Sequence, residues 1–393
     1  MLLKNAFIYT DGSFNSSDLL IINEKQWIVG KNLSSIESKQ VIDLTGKYII
    51  PGLVDVHVHL REPGFDYKET ILTGSKSAAK GGFTSICAMP NVIPAPDNIN
   101  SIKMVQDIIN KDACINVYQY GCITENRQGK KTTEFSMLKD YVTSFSDDGN
   151  PVSSDLVMKE AINKASFNDV LIAAHCEDFS YDDPRMSEYM NIKRDIELIK
   201  DMNITCRYHV CHVSSKKSIE LIREAKKQGI SITCETAPHY LIFTNEDVIS
   251  ENFKMNPPLG DKEDKQALLQ AICDGTIDMI ATDHAPHTHE DKLSGAMGVI
   301  GLETAFSSMY TYLVETGLIN LERLVELMAI NPATTYRIPG YSDFTVLDTD
   351  ADYIVKADTF LSKGRNTPFE GMRMKGRIIK TICKGKIVWE FTQ

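Results

Sequence analysis

Apolar and polar positions change rhythm twice along the chain. Over the first fifty or so residues, short apolar-rich runs at 3–9, 19–22, 27–29 and 41–44 are separated by turn-forming groups such as Asp11-Gly12-Ser13 and Thr45-Gly46-Lys47. That pattern predicts short β-strands. From about Pro51 apolar strand-like runs alternate with longer segments of helical period. The helical segments fall at 70–80, 99–110, 155–165, 192–202, 216–228 and 262–274. The strand-like runs fall at 53–56, 84–88, 115–120, 142–145, 170–174, 207–211, 230–233 and 278–281. After about Tyr336 short strands return, at 351–355, 378–383 and 386–389.

Eight strands alternating with helices predict an α/β fold, a TIM-type (β/α)8 barrel over 51–336. No Gly-x-Gly-x-x-Gly and no phosphate loop follows the first of them, which disfavours an open nucleotide-binding sheet. Short terminal strands cannot bury their apolar faces alone. The two chain ends, 1–50 and 337–393, are therefore expected to pair into one small β-sandwich domain.

Chemistry in such barrels sits at the carboxyl ends of the strands. His57 and His59 end the first strand two residues apart, so both rings face the same way and can reach one ion. Asn91 follows the second strand, Asp147 and Asp148 the fourth, His175 the fifth, His212 the sixth and Asp283 the eighth. Four histidines and two carboxylates suit zinc better than magnesium or calcium. Two ions about 3.5–4 Å apart can also be bridged by a carboxylate such as that of Asp148. Taken singly, each residue has a plainer reading: Asp147 and Asp148 could cap a helix starting near Ser153–Asp155. Their joint occurrence at strand ends argues for a common centre. His209 alternates with Cys211 inside the sixth strand and reads as structural. His239 reads as a pocket-lining or supporting residue, His284 as pointing away and His289 as solvated.

Composition narrows the setting. Of 393 residues, 42% are apolar and 24% charged, as in ordinary soluble enzymes. A net charge of -11 argues against nucleic acid or an anionic membrane as partner, while leaving room for a local cationic pocket. No apolar stretch reaches transmembrane length, and Met1-Leu2-Leu3-Lys4-Asn5 does not open like a signal peptide. The nine cysteines form no Cys-x-x-Cys pair. A reduced, cytoplasmic setting is expected.

The run Pro51-Gly52-Leu53-Val54-Asp55-Val56-His57-Val58-His59-Leu60-Arg61-Glu62-Pro63-Gly64 resembles the opening signature of the metal-dependent cyclic amidohydrolases, and within them of the dihydroorotases. Met89-Pro90-Asn91, Asp147-Asp148-Gly149, His209-Val210-Cys211-His212-Val213-Ser214 and Ala237-Pro238-His239-Tyr240 are similar too. So are Met255-Asn256-Pro257-Pro258-Leu259, Thr282-Asp283-His284-Ala285-Pro286-His287 and Gly301-Leu302-Glu303-Thr304. The resemblance implies that His57, His59 and Asp283 bind one zinc and that His175 and His212 bind a second. Asp148 would stand where many relatives carry a bridging carboxylated lysine. It also assigns Arg61, Asn91, Asn256 and His287 to substrate.

The reaction implied is the reversible ring opening of dihydroorotate to N-carbamoyl-aspartate in pyrimidine biosynthesis. Water activated by the metal attacks the ring carbonyl, and Asp283 serves as general base and then acid. A planar guanidinium such as Arg61 can hold the substrate carboxylate through two parallel hydrogen bonds. Dihydropyrimidinase, hydantoinase or allantoinase activity is the nearest alternative, but those ring substrates lack that carboxylate and have no need of the arginine–asparagine pair. A catalytically silent scaffold is the other, but all six ligand positions are filled here. Family habit suggests a homodimer, and aspartate transcarbamoylase is a candidate partner. The segment between His175 and His212 is shorter than the resemblance leads one to expect, and Ser294-Gly295-Ala296-Met297-Gly298 only loosely matches the usual loop before Gly301.

Overall fold

In the computed structural model, which describes residues 1–33 and 38–392, the opening runs fold as β1 (Leu2–Thr10), β2 (Ser13–Asn23), β3 (Gln26–Gly30), β4 (Val41–Asp43) and β5 (Tyr48–Pro51). Next come β6 (Leu53–Val58), β7 (Phe83–Ala88), β8 (Asn116–Gln119), β9 (Leu171–Ala174), β10 (Arg207–Val210), β11 (Ile232–Thr236) and β12 (Met279–Ile280). β13 (Phe344–Ile354), β14 (Arg373–Cys383) and β15 (Lys386–Glu390) come last. The apolar run that starts at Tyr48 thus serves two sheets and is divided at Gly52. A Cβ there would lie 2.0 Å from Thr84 Oγ1, so only glycine lets the chain pass this close to β7.

β1–β5 and β13–β15 form one sheet in the order β15-β14-β13-β5-β1-β2-β3, with β4 beside β1. Along that order four strand spacings of about 4.8 Å separate β3 from β13. Yet the ring centroids of Trp27 on β3 and Phe344 on β13 are 5.7 Å apart. The sheet therefore folds over on itself around Leu3, Ile8, Leu19, Ile49, Val346 and Ile382. Bulges in β1, β2, β13 and β14 supply the bends. Both faces of the expected sandwich belong to one continuous sheet.

The remaining strands run parallel: β6, β7 and β8 pair in sequence, as do β9 to β12. Single bridges close the ring, Val58 to His284 on one side and Gly121 to Phe145 to Ile172 on the other. The fourth strand, expected over 142–145, is corrected to this minimal link. Thr143 N donates to Gln119 O at 2.9 Å, Phe145 N to Leu171 O at 3.0 Å and Ala173 N to Phe145 O at 2.9 Å. A turn at Tyr141 before it, and the site loop from Ser146 after it, leave no length for a regular strand. No helix among the described residues is long and apolar enough to cross a membrane.

Side-chain caps explain where five of the expected helices start. Thr70, Asn98, Ser154, Ser215 and Asp261 each accept from a first-turn backbone N–H. Ser154, not Asp147 or Asp148, caps the helix Asp155–Asn168. The remaining expected helix, over 192–202, is Pro184–Met202, capped by Asp183 with proline in its first turn. Its early buried face is polar (Ser187, Glu188, Asn191), so no apolar period marks it. The late helical stretches widen into π-type turns at Tyr310–Val314 and Glu326–Ile330, which breaks the 3.6-residue period.

Phe145 is fully buried and stacks on Phe135 with ring centroids 3.8 Å apart. Replacing it with alanine is expected to destabilise the fold by about 3–5 kcal/mol. Denaturant unfolding checks this, and a loss under about 1 kcal/mol would show that the barrel closes without that ring.

Candidate metal centre and substrate pocket

Six side chains from five barrel positions converge at the carboxyl ends of the strands. His57 Nε2 lies 3.4 Å from Asp148 Oδ1 and 3.5 Å from Asp283 Oδ1. His59 Nε2 lies 3.1 Å from Asp283 Oδ1 and 3.4 Å from Asp148 Oδ2. His175 Nδ1 and His212 Nε2 each stand 3.5 Å from Asp148 Oδ1 and 2.9 Å from one another. Two triads result, His57–His59–Asp283 and Asp148–His175–His212, with every side chain buried. Asp148 touches both.

Each of these residues is held from behind. Asp55, buried beneath the strand ends, accepts from His57 N at 3.1 Å, Thr282 N at 3.2 Å and Thr282 Oγ1 at 2.5 Å. It thereby ties the loop of Asp283 to β6. Asp147 accepts from Thr124 N and Oγ1, while Asp148 N donates to Ser146 Oγ at 3.0 Å. His59 Nδ1 meets Asn91 Oδ1 at 2.9 Å, and His175 Nε2 meets Glu177 Oε2 at 3.1 Å. Asn256 Nδ2 also donates to Glu177, at 3.2 Å. Arg61, His212 and Asp283 all have positive φ, 63°, 37° and 48°. Such backbone strain at non-glycine residues clusters at functional sites.

Electrostatics and orphaned atoms describe the same need. His57 Nε2, Asp148 Oδ1 and His212 Nδ1 are buried with no hydrogen-bond partner among the described residues. Burial opposes charge on His57, yet Asp148, Glu235 and Asp283 outweigh it and raise its proton affinity well above that of free imidazole. Burial likewise opposes charge on His175, but Asp148 and Glu177 push it up to about 9. Asp148 and Asp283 stay below the usual carboxylate range despite burial, because His57 and the neighbouring imidazoles favour their charged forms. This donor set calls for positive charge at its centre, and it fits a metal ion. His59 is pushed down by burial and by Arg61, which favours the neutral ring that can offer a lone pair.

Above the cluster opens a cavity of about 230 Å³, lined among others by Arg61, Asn91, Asn256, Asp283, His287 and Met297. The Arg61 guanidinium is buried, donates from Nε to Pro286 O at 3.3 Å and meets His287 Nε2 at 3.2 Å. No carboxylate among the described residues lies within 4.0 Å of it. Burial lowers its proton affinity to about 10, which leaves it charged at neutral pH. Burial and then Arg61 hold His287 at about 3, so that ring is neutral and can accept from the guanidinium.

The other histidines stand apart from the two triads. His284 faces Glu69 Oε2 at 3.4 Å, and its Nδ1 accepts from Gly301 N. His289 opens a short helix and is itself exposed. His239 is buried with Nε2 unpartnered, is pushed down to about 4 by burial, and is not among the cavity-lining residues. Two carboxylates with direct contacts here escape sequence reasoning. Glu177 was visible only as part of a polar loop. Glu235 lies beyond the expected strand end at 233, although a carboxylate inside an otherwise buried run is itself a signal.

A family described as dihydro-orotase-like matches residues 46–194. A protein named dihydroorotase from Bacillus cytotoxicus is 43% identical over 422 aligned positions, covering 99% of this chain and 98% of the relative. One from Geobacillus sp. is 40% identical, covering 99% of each. The alignment of 422 positions exceeds the 393 residues here, so the relatives carry segments this chain lacks. Among solved structures, an L-hydantoinase (dihydropyrimidinase) from Arthrobacter aurescens superposes with a TM-score of 0.91 at 27% identity, covering 100% of this chain and 96% of the other. A dihydropyrimidinase from Brevibacillus agri gives 0.89 at 21% identity, covering 99% and 95%, which speaks to the barrel fold. With full-length relatives at this identity, the chain belongs to the dihydroorotase family of metal-dependent amidohydrolases.

Proposed function

We propose that this enzyme interconverts (S)-dihydroorotate and N-carbamoyl-L-aspartate as a step of pyrimidine biosynthesis. The observation that carries the reading is Arg61, a buried guanidinium with no carboxylate partner among the described residues, opening on the same cavity as the donor cluster. A substrate carboxylate supplies the missing anion and takes two charge-assisted hydrogen bonds. Asn91, Asn256 and His287 complete its cradle.

The cofactor proposed is zinc, two ions per chain: His57, His59 and Asp283 would hold one, His175 and His212 the other, with Asp148 between them. When bound there, zinc supplies Lewis acidity toward the amide carbonyl and toward water at neutral pH. Asp283 takes the proton of the attacking water at its carboxylate and returns it to the ring nitrogen as the C–N bond breaks. In the reverse direction it removes the carbamoyl nitrogen's proton and delivers it to the departing water. Its low proton affinity, set by His57 and His59 against burial, keeps it ionised as a base.

The same proposal includes a cytoplasmic location, a homodimer and association with aspartate transcarbamoylase. Sedimentation of the chain alone and mixed with that enzyme tests the assembly states. It also includes a division into 51–336 and a composite of 1–50 with 337–393.

Turnover on dihydroorotate beside dihydrouracil, hydantoin and allantoin tests the substrate: dihydroorotate is expected to dominate, and preference for a ring without a carboxylate would overturn the reading. Arg61→Met should lower kcat/KM for dihydroorotate about 30- to 1,000-fold, with little effect on any residual dihydrouracil activity. Asp283→Asn should cut kcat about 100- to 10,000-fold in folded protein. Near-normal turnover with full metal content would remove Asp283 from proton transfer. Metal analysis is expected to return two zinc ions per chain, and activity that survives complete chelation would exclude the cofactor.

A further inference from the structure

Glu235 is not required by the reaction as drawn, yet it is buried in the barrel interior directly beneath the donor cluster. It stands on β11 two residues from Thr233, so both side chains share one face of that strand. His209 on β10 lies in register beside Thr233. From there Glu235 reaches across the barrel interior, and its Oε1 lies 2.6 Å from His57 Nδ1. Its other oxygen, Oε2, lies 3.1 Å from His209 Nε2, and His209 Nδ1 meets Thr233 Oγ1 at 2.8 Å. His212 N also approaches Glu235 Oε1, at 3.4 Å.

We propose that Glu235, supported by His209 and Thr233, is a positioning relay that fixes the tautomer and orientation of the His57 ring for metal. The inference rests on the metal reading above. An ionised carboxylate only accepts hydrogen bonds, so the His57 proton sits on Nδ1. The Nε2 lone pair then points toward Asp148 and Asp283, where that atom has no other partner among the described residues. His209 donates Nε2–H to the far carboxylate oxygen, and the Thr233 hydroxyl donates to His209 Nδ1. The donors thus run in one direction, from Thr233 and His209 to the carboxylate. The other imidazoles are supported differently: His59 rests on the neutral amide of Asn91 and His175 on the partly exposed Glu177. Of these three donor imidazoles, His57 is the one that has a fully buried carboxylate behind it among the described residues. Because Glu235 also meets the backbone of His212, one side chain touches a member of each triad.

The experiment is zinc binding by chelator competition on the full chain, comparing the wild type with Glu235→Gln, His209→Gln and His209→Leu. Unfolding midpoints of the metal-free proteins are measured alongside. Glu235→Gln is expected to weaken one zinc site about 10- to 100-fold. His209→Leu, which removes the donor, should weaken the same site less. His209→Gln, whose amide can still donate toward Glu235, should bind like the wild type. A purely packing role would lower the metal-free midpoint in both His209 variants and leave affinity alone. Wild-type affinity in Glu235→Gln, or equal affinity in the two His209 variants, overturns the relay. If Glu235→Gln does not fold, the His209 pair decides. A wild-type chain that takes up no zinc refutes the metal reading itself, an outcome distinct from wild-type zinc uptake with an unaffected Glu235 variant.

Discussion

Uncompensated negative charge at the mouth of the barrel is the constraint on which the rest of the site depends. Asp148 and Asp283 are buried among four imidazoles, with Glu235 directly behind them and Glu177 at the rim. Buried carboxylates without a counter-charge cost several kcal/mol each. Protons on His57 and His175 relieve part of that charge, and a divalent cation, held through the imidazole lone pairs, relieves more of it. The unusual backbone angles at His212 and Asp283 fit this picture. The chain accepts local strain to aim these donors inward, and Asp55 holds the strained loop of Asp283 by accepting several hydrogen bonds, while Asp147 anchors the Asp148 loop to Thr124.

The barrel was legible because its signals are periodic and local. Apolar runs at strand spacing and capped helices such as Ile71–Lys80 and Lys262–Asp274 follow from short-range preferences. Departures occur where tertiary contacts replace periodicity. The helix Pro184–Met202 hides its first turns because Glu188 is buried to accept from Ser214 and Ser215. The fourth strand shrinks to Phe145 because turns press on it from both sides. The doubled-over terminal sheet depends on the meeting of Trp27 with Phe344, residues more than three hundred positions apart, and no local pattern encodes that.

The site divides along the same line. His57 and His59 declare themselves by their spacing. Asp148, His175, His212 and Asp283 declare themselves by standing where strands end. What stands behind them does not. Glu235 is separated from His57 by 178 residues, and only the closed barrel brings the two within 2.6 Å. His209, read as structural from its place in a strand, is structural in a specific sense: its ring donates to the carboxylate that orients His57. Strand alternation identifies a residue's face. It cannot identify which distant carboxylate that face meets.

The chain end reaches the pocket as well, which explains why the terminal sheet and the barrel are linked by more than apolar packing. In the 355–372 connection between β13 and β14, Asn366 accepts from His287 N at 3.1 Å and donates to Ala285 O at 2.9 Å and Gly298 O at 3.1 Å. It pins the loop that carries His287 to the loop that carries Met297. Lys292 secures that second loop from the other side, donating to the carbonyls of Lys254, Ala296 and Gly298. Nearby, the buried Glu69 accepts from Ser362 Oγ and Lys363 N while facing His284, the residue next to Asp283. The wall beside Arg61 is therefore built by residues far apart in sequence. Its shape, and with it the room left for a ring carrying a carboxylate, is a property of how the chain end docks on the barrel rather than of the metal-binding strands alone.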